Sequence, residues 1–402
     1  RYPHQLSGGQ RQRVVIAIAC ALGPKLLIAD EPTTALDVVL QRQILDLLRS
    51  LVAEQRMGLL LISHDLAILA DMADRLAVMR EGAIVEDGDT AQILSNPSHP
   101  YTRQLALAAT HVPTRRSAVP RAARTAPEAA PLLEVTGVTR DYPGPRRSLL
   151  ARGDVVRAVD DVSFTMQGGR STALVGRSGC GKSTLARMVL ALDRPTAGSI
   201  RMRGRDLTQA DEAGLRAARR DMQVVFQDPY GSFDPRYTAE RVVAEPLHLL
   251  EPPPARSERR ERVAATLREV GLRAEDMTKY PHEFSGGQRQ RLSIARAIIT
   301  RPQLIVADEP VSALDVSIRA NILELLAQLN ERLGIAYLFI THDLHVARAI
   351  TDDVLVMHEG RIVERGATRD VFDNPQSEAA RALVEATPDL RRAVARRLAE
   401  QG

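Results

Sequence analysis

Cysteine is nearly missing from this chain, with Cys20 and Cys180 its only two. Two thiols exclude a disulfide framework, no CxxC or His/Cys cluster offers a metal site, and a reducing compartment fits. Lysine is almost as scarce: only Lys25, Lys182 and Lys279 stand among 54 basic residues. That bias is most simply one of coding composition, yet it makes a lysine inside a motif more telling. No apolar run reaches the length of a membrane span, and no signal-peptide pattern is visible. Net charge is also low, since +4 over 402 residues does not mark a dedicated nucleic-acid binder. At 402 residues the chain does exceed the size at which one core keeps growing, so two domains are expected.

What is present, above all, is a repeat. Tyr2-Pro3-His4-Gln5-Leu6-Ser7-Gly8-Gly9-Gln10-Arg11-Gln12-Arg13 returns as Tyr280-Pro281-His282-Glu283-Phe284-Ser285-Gly286-Gly287-Gln288-Arg289-Gln290-Arg291. The offset of 278 residues holds without a gap to Asn96-Pro97 and Asn374-Pro375. Only the second copy is preceded by a glycine-rich run, Gly176 to Thr184. The chain also opens with Arg1 inside a motif, so the reading is a first unit that lacks its front. The 148 residues from Leu132 to Lys279 estimate the size of that part.

The organisation follows. Residues 1–110 read as the rear of a first unit, 111–131 as a flexible linker, and 132–402 as a second, complete unit with a C-terminal extension. The linker is rich in Pro, Ala, Arg, Ser and Thr without apolar periodicity. Its basic residues fit either a solvated tether or a contact with anionic headgroups. Within each unit the pattern is α/β. Apolar runs resembling buried parallel strands recur at Leu26–Ala29, Leu59–Ile62, Ala173–Val175, Leu304–Ala307 and Tyr337–Ile340. Helical stretches lie at Arg291–Ile299 and Ile318–Glu331, and hairpins turn at Glu81-Gly82 and Glu359-Gly360. The expected architecture is a core parallel sheet with a helical insertion at about Asp206–Thr300.

The glycine-rich run Gly176-Arg177-Ser178-Gly179-Cys180-Gly181-Lys182-Ser183-Thr184 follows an apolar strand and opens a helix, the context a phosphate-binding loop requires. Its backbone N–H groups would curl around phosphate oxygens at a helix N-terminus. Lys182 would reach the β- and γ-phosphates, and the Ser183 hydroxyl would ligate Mg²⁺. Downstream, Leu304-Ile305-Val306-Ala307 ends in Asp308-Glu309. Two carboxylates at the tip of a buried strand are costly unless they meet a cation or a reacting group, although a solvated strand end would also carry such acids. Asp308 suits the Mg²⁺ shell, directly or through water, and Glu309 suits polarising an attacking water. His342, after the next strand, is placed to reach the γ-phosphate side of the same site.

The order of phosphate loop, Phe226-Gln227-Asp228-Pro229, Ser285-Gly286-Gly287-Gln288-Arg289, Asp308-Glu309, Ser312–Asp315 and His342 resembles an ATP-binding-cassette ATPase. The resemblance covers residues 132 to about 375 and, in shortened form, 1 to about 100. It implies the P-loop NTPase cassette fold, with a core parallel sheet, a β-subdomain and a helical subdomain. It implies that Gln227 senses Mg²⁺ and the transport partner, and that Tyr142 stacks on adenine, where Tyr142-Pro143-Gly144 alone reads equally as a turn. In the family, the signature of one cassette closes over ATP held by the other. Carried over, Ser7, Gly8, Gly9 and Gln10 would cover ATP on Lys182, with Asp37 crossing nearby. The first copy keeps Asp30-Glu31 and His64 without a phosphate loop.

Asn96-Pro97-Ser98-His99-Pro100-Tyr101-Thr102-Arg103 and the Val225–Arg236 segment are similar to the dipeptide and oligopeptide importers, although the tail has decayed to Asn374-Pro375-Gln376-Ser377 in the second copy. The resemblance therefore implies a fused tandem ATPase powering uptake of peptides or similar solutes, with ATP and Mg²⁺ as cofactors. Its partners would be two membrane-spanning permeases and an extracytoplasmic solute-binding protein. It would sit at the cytoplasmic face of the plasma membrane, held through the permeases, with no nucleic-acid partner. The competing readings are a soluble tandem cassette acting on ribosomes or nucleic acid, and an importer of glutathione or nickel. The lack of cysteine argues against the iron–sulfur tail of some relatives.

Overall fold

The computed structural model describes residues 2–34, 36–110, 130–144, 155–312 and 314–401. The expected linker thus lies outside the described residues except for Ala130 and Pro131. Two compact units emerge: Arg1–Val112 with Asp315–Ala320 and Ala382–Gly402, and Pro113–Leu314 with Asn321–Arg381.

The first unit runs α1 (Gly8–Cys20), β1 (Leu26–Asp30), α2 (Val38–Gln55), β2 (Gly58–Ile62), α3 (Leu66–Met72), β3 (Arg75–Arg80), β4 (Ala83–Asp89), α4 (Thr90–Ser95) and α5 (Pro100–Thr110). Strands β1 and β2 pair in parallel, and β3 and β4 form a hairpin. The hairpin turns at Glu81-Gly82, both at positive φ (51° and 83°), a conformation that matches the twist of the flanking strands. Side chains Ser7, Asp37, Asp65 and Asp89 each accept a backbone N–H at the start of α1, α2, α3 and α4, so every one of these helices begins at a sequence-encoded cap.

The second unit opens with β5 (Leu133–Pro143), β6 (Val155–Met166), β7 (Thr172–Val175), α6 (Lys182–Val189), β8 (Ala197–Met202) and β9 (Arg205–Asp206). It continues with α7 (Glu212–Asp221), β10 (Met222–Val225), α8 (Ala239–Ala244), α9 (Arg256–Glu269) and α10 (Gly286–Ile298). Then come β11 (Leu304–Asp308), α11 (Val316–Leu333), β12 (Ala336–Ile340), α12 (Leu344–Ile350), β13 (Asp353–His358), β14 (Arg361–Ala367), α13 (Thr368–Asp373) and α14 (Glu378–Ala386), whereas the helix that follows, α15 (Leu390–Gln401), belongs to the first unit. The core sheet has the order β10-β11-β12-β7-β13-β14. It is parallel except for the β13–β14 hairpin. A four-stranded antiparallel sheet, β6-β5-β8-β9, lies beside it. Every residue of β7 and β12 is buried, as a parallel sheet covered on both faces demands.

One expectation needs correction. The stretch Asp206–Thr300 does hold helices α7 to α10, but β10 within it is the edge strand of the core sheet, paired with β11. Met222-Gln223-Val224-Val225 is four residues long, too short for periodicity to separate a strand from a helical turn. The core of this unit gives a direct test. Phe339 on β12 is fully buried, and Phe339→Ala is expected to cost about 3–5 kcal/mol. Chemical denaturation should show the second unit unfolding at lower denaturant; an unchanged midpoint would mean that the strand is not part of the core.

Candidate functional site

The glycine-rich run joins β7 to α6, and at two of its positions the backbone leaves no room for a side chain. Gly176, Gly179 and Gly181 take φ of 156°, 80° and 110°. A Cβ on Gly176 would fall 2.2 Å from the Met357 carbonyl oxygen, and one on Gly181 would fall 2.4 Å from that of Ala158. Only glycine fits these two close approaches. Arg177, Ser178 and Gly179 form the exposed tip, Cys180 is buried, Ser183 is exposed, and Thr184 is half-buried. Lys182, the first residue of α6, is buried, and its Nζ donates to the carbonyls of Gly176 (2.7 Å) and Arg177 (3.0 Å). The loop thus folds around its own ammonium group.

Strands β11 and β12 bring the remaining groups. Both are neighbours in the sheet, and β12 pairs with β7, so the C-terminal ends of three strands meet. Glu309 follows β11 at φ 45° and is held by its N–H to Ile340 O (2.9 Å). The His342 Nδ1 lies 3.0 Å from Glu309 Oε1, and the Ser312 hydroxyl donates to the Glu309 carbonyl (3.1 Å). Burial pushes Asp308 above the usual carboxylate range, and the charge of Glu309 adds to this against Lys182 and Arg187. Burial pushes Glu309 up as well, but the hydrogen bond and charge of His342, with Lys182, outweigh it and leave Glu309 below its ordinary value. Burial pushes His342 down, yet the Glu309 contact leaves the imidazole above its ordinary value. Lys182, Asp308, Glu309 and His342 therefore form one electrostatic cluster.

Other sequence-selected residues are placed separately. Gln227 is exposed, two residues beyond β10. Tyr142 lies on β5 with its hydroxyl 2.7 Å from Asp193 and the Arg140 guanidinium 4.6 Å over its ring. Ser7 and Gln10 form a reciprocal cap at α1, and Gly8 and Gly9 lie against Leu36 and Leu40. Asp37 is buried and accepts from Leu40 N (3.0 Å) as the cap of α2. Ser285 and Gln288 repeat the α1 cap at α10. In the first unit, His64 Nδ1 stands 2.8 Å from Glu31 Oε1, with Glu31 at φ 46°, so the acid–imidazole pair is duplicated there.

Two contributors escaped the sequence reading. Arg187, one turn beyond Ser183 on α6, lowers Asp308, and its signal was only the helical spacing from the loop. Arg296 donates to Ser232 O (2.9 Å) and Oγ (3.0 Å) and so ties α10 to the loop after Gln227.

Comparisons with known proteins agree with this fold. A family model described as ABC transporter matches residues 1–34 and 159–312. One described as the C-terminal region of oligopeptide/dipeptide transporters matches residues 85–134. The chain is 46% identical over 409 residues to the glutathione import ATP-binding protein GsiA of Salmonella typhi. To GsiA of Pectobacterium atrosepticum it is 45% identical over 407 residues. Both alignments cover 96% of this chain, and the chain spans only 65% of the length of these relatives. The dimeric ATP-binding cassette MJ0796, solved with ADP and phosphate, superposes with a TM-score of 0.52 at 29% identity, covering 59% of this chain and 99% of its own. CbiO1 of Clostridium perfringens superposes with a TM-score of 0.53 at 26% identity, covering 61% of this chain and 92% of its own.

The acid–imidazole pair has a defined pH window. Glu309 is lowered, so its contribution is complete above its ordinary value of 4.5 and is lost as pH falls through the folded value. His342 is raised, so its contribution is complete below 6.5 and is lost as pH rises through the folded value. The pair therefore stabilises most between these two ordinary values. An NMR titration of the His342 ring should give a midpoint above 6.5, and Glu309→Gln should lower it. A midpoint indifferent to that substitution would break the assignment.

Proposed function

We propose that the chain is an ABC-transporter ATPase of the oligopeptide and dipeptide importer type, the family its matches support, and that it is the ATP-hydrolysing, energy-coupling subunit of an importer for peptides or similar small solutes. The observation that carries this reading is the meeting of Lys182, Asp308, Glu309 and His342 at the C-terminal ends of β7, β11 and β12. That end of an α/β sheet is where phosphate-bearing ligands bind. The names of the relatives support glutathione as one solute within this class.

In this reading, the Gly176–Thr184 backbone N–H groups cradle the phosphates at the start of α6. Lys182 exchanges the loop carbonyls for phosphate oxygens, and Tyr142 stacks on adenine. The donor set suits Mg²⁺: a buried carboxyl at Asp308, raised by burial and by Glu309, gains from a nearby cation, and the exposed Ser183 hydroxyl adds a second oxygen. Gln227 would complete that set, and the ion, when bound, neutralises developing phosphate charge. Glu309, kept ionised by His342, polarises the attacking water, and His342 holds the carboxylate in register on the γ-phosphate side.

Residues 132–402 would form the complete cassette with a C-terminal extension, whose last helix, α15, belongs to the first unit. The first copy would supply Ser7, Gly8, Gly9 and Gln10 over the same nucleotide, with Asp37 alongside, in a fused pair. ATP binding would close the clamp and hydrolysis would open it, driving two permeases that receive solute from an extracytoplasmic binding protein. The chain would then lie peripherally on the cytoplasmic face of the plasma membrane.

Two substitutions test the site. Lys182→Ala should abolish binding of a fluorescent ATP analogue, and unchanged affinity would remove the phosphate-loop role. Glu309→Gln should retain binding but turn over at least about a hundredfold more slowly, the usual contribution of a positioned base. Near-normal phosphate release would move the base elsewhere. The transport reading is checked by uptake of labelled glutathione and dipeptides in cells carrying the Lys182→Ala protein. Undiminished uptake of every solute would overturn it.

A further inference from the structure

The last helix of the chain, α15, belongs to the first unit, where it packs on α3. Leu390 and Ala393 of α15 are buried in one apolar cluster with Leu66, Leu69, Ala70, Leu76 and Ile93. Polar contacts surround that cluster. Arg396 pairs with Asp71, whose carboxylate also receives Arg49 Nη2 at 2.8 Å. Arg397 Nε donates to the Ala70 carbonyl (2.5 Å), and its Nη2 lies 3.4 Å from the Asp71 carbonyl. These carbonyls lie in the last turn of α3, where a helix leaves its C=O groups without intrahelical partners and favours a cation. A residue more than three hundred positions away in sequence thus serves as a cap.

The internal repeat supplies a control, because α12 is the copy of α3 at the 278-residue offset. Its Arg348 pairs with Asp373 of α13 at 2.7 Å, and its exposed His345 stands where α3 has Ala67. In the first unit both charges are gone together: Arg348 corresponds to Ala70 and Asp373 to Ser95. Ala70 is 0% exposed and Ala67 9%, so the side chains of the other copy could not be accommodated beneath α15. Conversely, Asp71 stands where α12 has Ala349, and Arg49 where α11 has Ala327. Small residues appear where α15 makes apolar contact, and a charged pair appears where its arginines arrive. Thr351, whose hydroxyl caps α12 through the Ala347 carbonyl (2.7 Å), corresponds to Ala73, the residue that follows α3.

We propose that α15 is a strap whose docking, through Arg396, Arg397 and the alanine face of α3, positions His64 against Glu31. His64 is joined to α3 by the single residue Asp65, the α3 cap that accepts from Ala67 N and Ile68 N. Movement of the helix therefore moves the imidazole. Arg396, Arg397 and Asp71 are positioning residues, and the proposal is independent of the nucleotide reading: loss of ATP binding at Lys182 would leave it intact.

Hydrogen exchange on the full chain tests this. With Arg396→Glu and Arg397→Glu together, amides at the C-terminal end of α3 should exchange on the order of tenfold faster, because local opening free energy falls. Those of α12 should be unchanged. Ala70→Arg, the residue of the other copy, should do the same. Combining Asp71→Arg with Arg396→Glu should recover more protection than Asp71→Arg alone. The His64 ring resonance should shift in each unprotected variant and return in the recovered one. If Ala70→Arg fails to fold, the two arginine replacements at the helix surface still decide the matter. Unchanged α3 exchange in Arg396→Glu/Arg397→Glu would overturn the strap. Altered exchange with an unmoved His64 resonance would overturn its positioning role.

Discussion

Two adjacent carboxylates at the tip of a fully buried strand are the constraint on which the site depends. Residues Leu304 to Ala307 of β11 are all buried, so Asp308 and Glu309 emerge from a low-dielectric layer with like charges side by side. Neither charge is tolerated there without compensation. The fold answers by sheet order: β12 beside β11 brings His342 to Glu309, and β7 beside β12 brings Lys182 to both acids. The result separates two chemically similar groups. Asp308 is left above its ordinary value and Glu309 below it, the kind of divergence that the proposed division of roles between the two acids requires.

Much of this was legible because its causes are local. The loop between β7 and α6 needs glycine at two close backbone approaches, and those glycines stand in the sequence at Gly176 and Gly181. The acidic tip announces itself as charge after an apolar run, and the hairpins announce themselves as Glu-Gly. Legibility failed where partners are distant. Edge strand β10 has four residues and no periodicity to distinguish it. Arg187 acts on Asp308 across space, and the docking of α15 depends on a face composed by α3. The tail of the second copy shows the same limit in reverse. Its letters have changed, yet Glu364 still accepts from Gln376 N (2.9 Å) and Ser377 N (2.7 Å), as Glu86 does from Ser98 N (2.8 Å) and His99 N (3.1 Å). Backbone donors do not depend on side-chain identity, so the cap survived the change of motif.

Equivalent sequences also meet different burial. Strand β11 pairs with β10 and β12, and Leu304 to Ala307 are all covered. In β1, Leu26 and Ile28 are 55% and 60% exposed while Leu27 and Ala29 are buried. Among the described residues β1 pairs with β2 alone. An apolar run therefore states what a strand can bury, and the neighbouring elements decide how much of it is buried. The Glu31–His64 pair nevertheless keeps the geometry of Glu309–His342, because that geometry is set by a short link: the backbone bond from Glu31 N to Ile62 O, 3.0 Å long, fixes the acid beside the strand that leads to the histidine.

The helices behind the two histidines reach the same end by different means. Each has seven residues, too few for a helix to persist on its own backbone bonds, so tertiary contacts must hold it. Around α12 the contacts come from its own copy: Arg348 to Asp373, and the Thr351 hydroxyl to that of Thr368 at 3.0 Å. Around α3, alanine at positions 70 and 73 and serine at position 95 remove those interactions at once. Removing them singly would leave an uncompensated charge or an open face; removing them together leaves an apolar surface that another helix can cover. The buried Leu390 and Ala393 supply that cover, and Arg397 supplies the cation that the end of α3 favours. A duplicated imidazole can thus keep one geometry while the element that secures it changes from a neighbour within the repeat to the end of the chain.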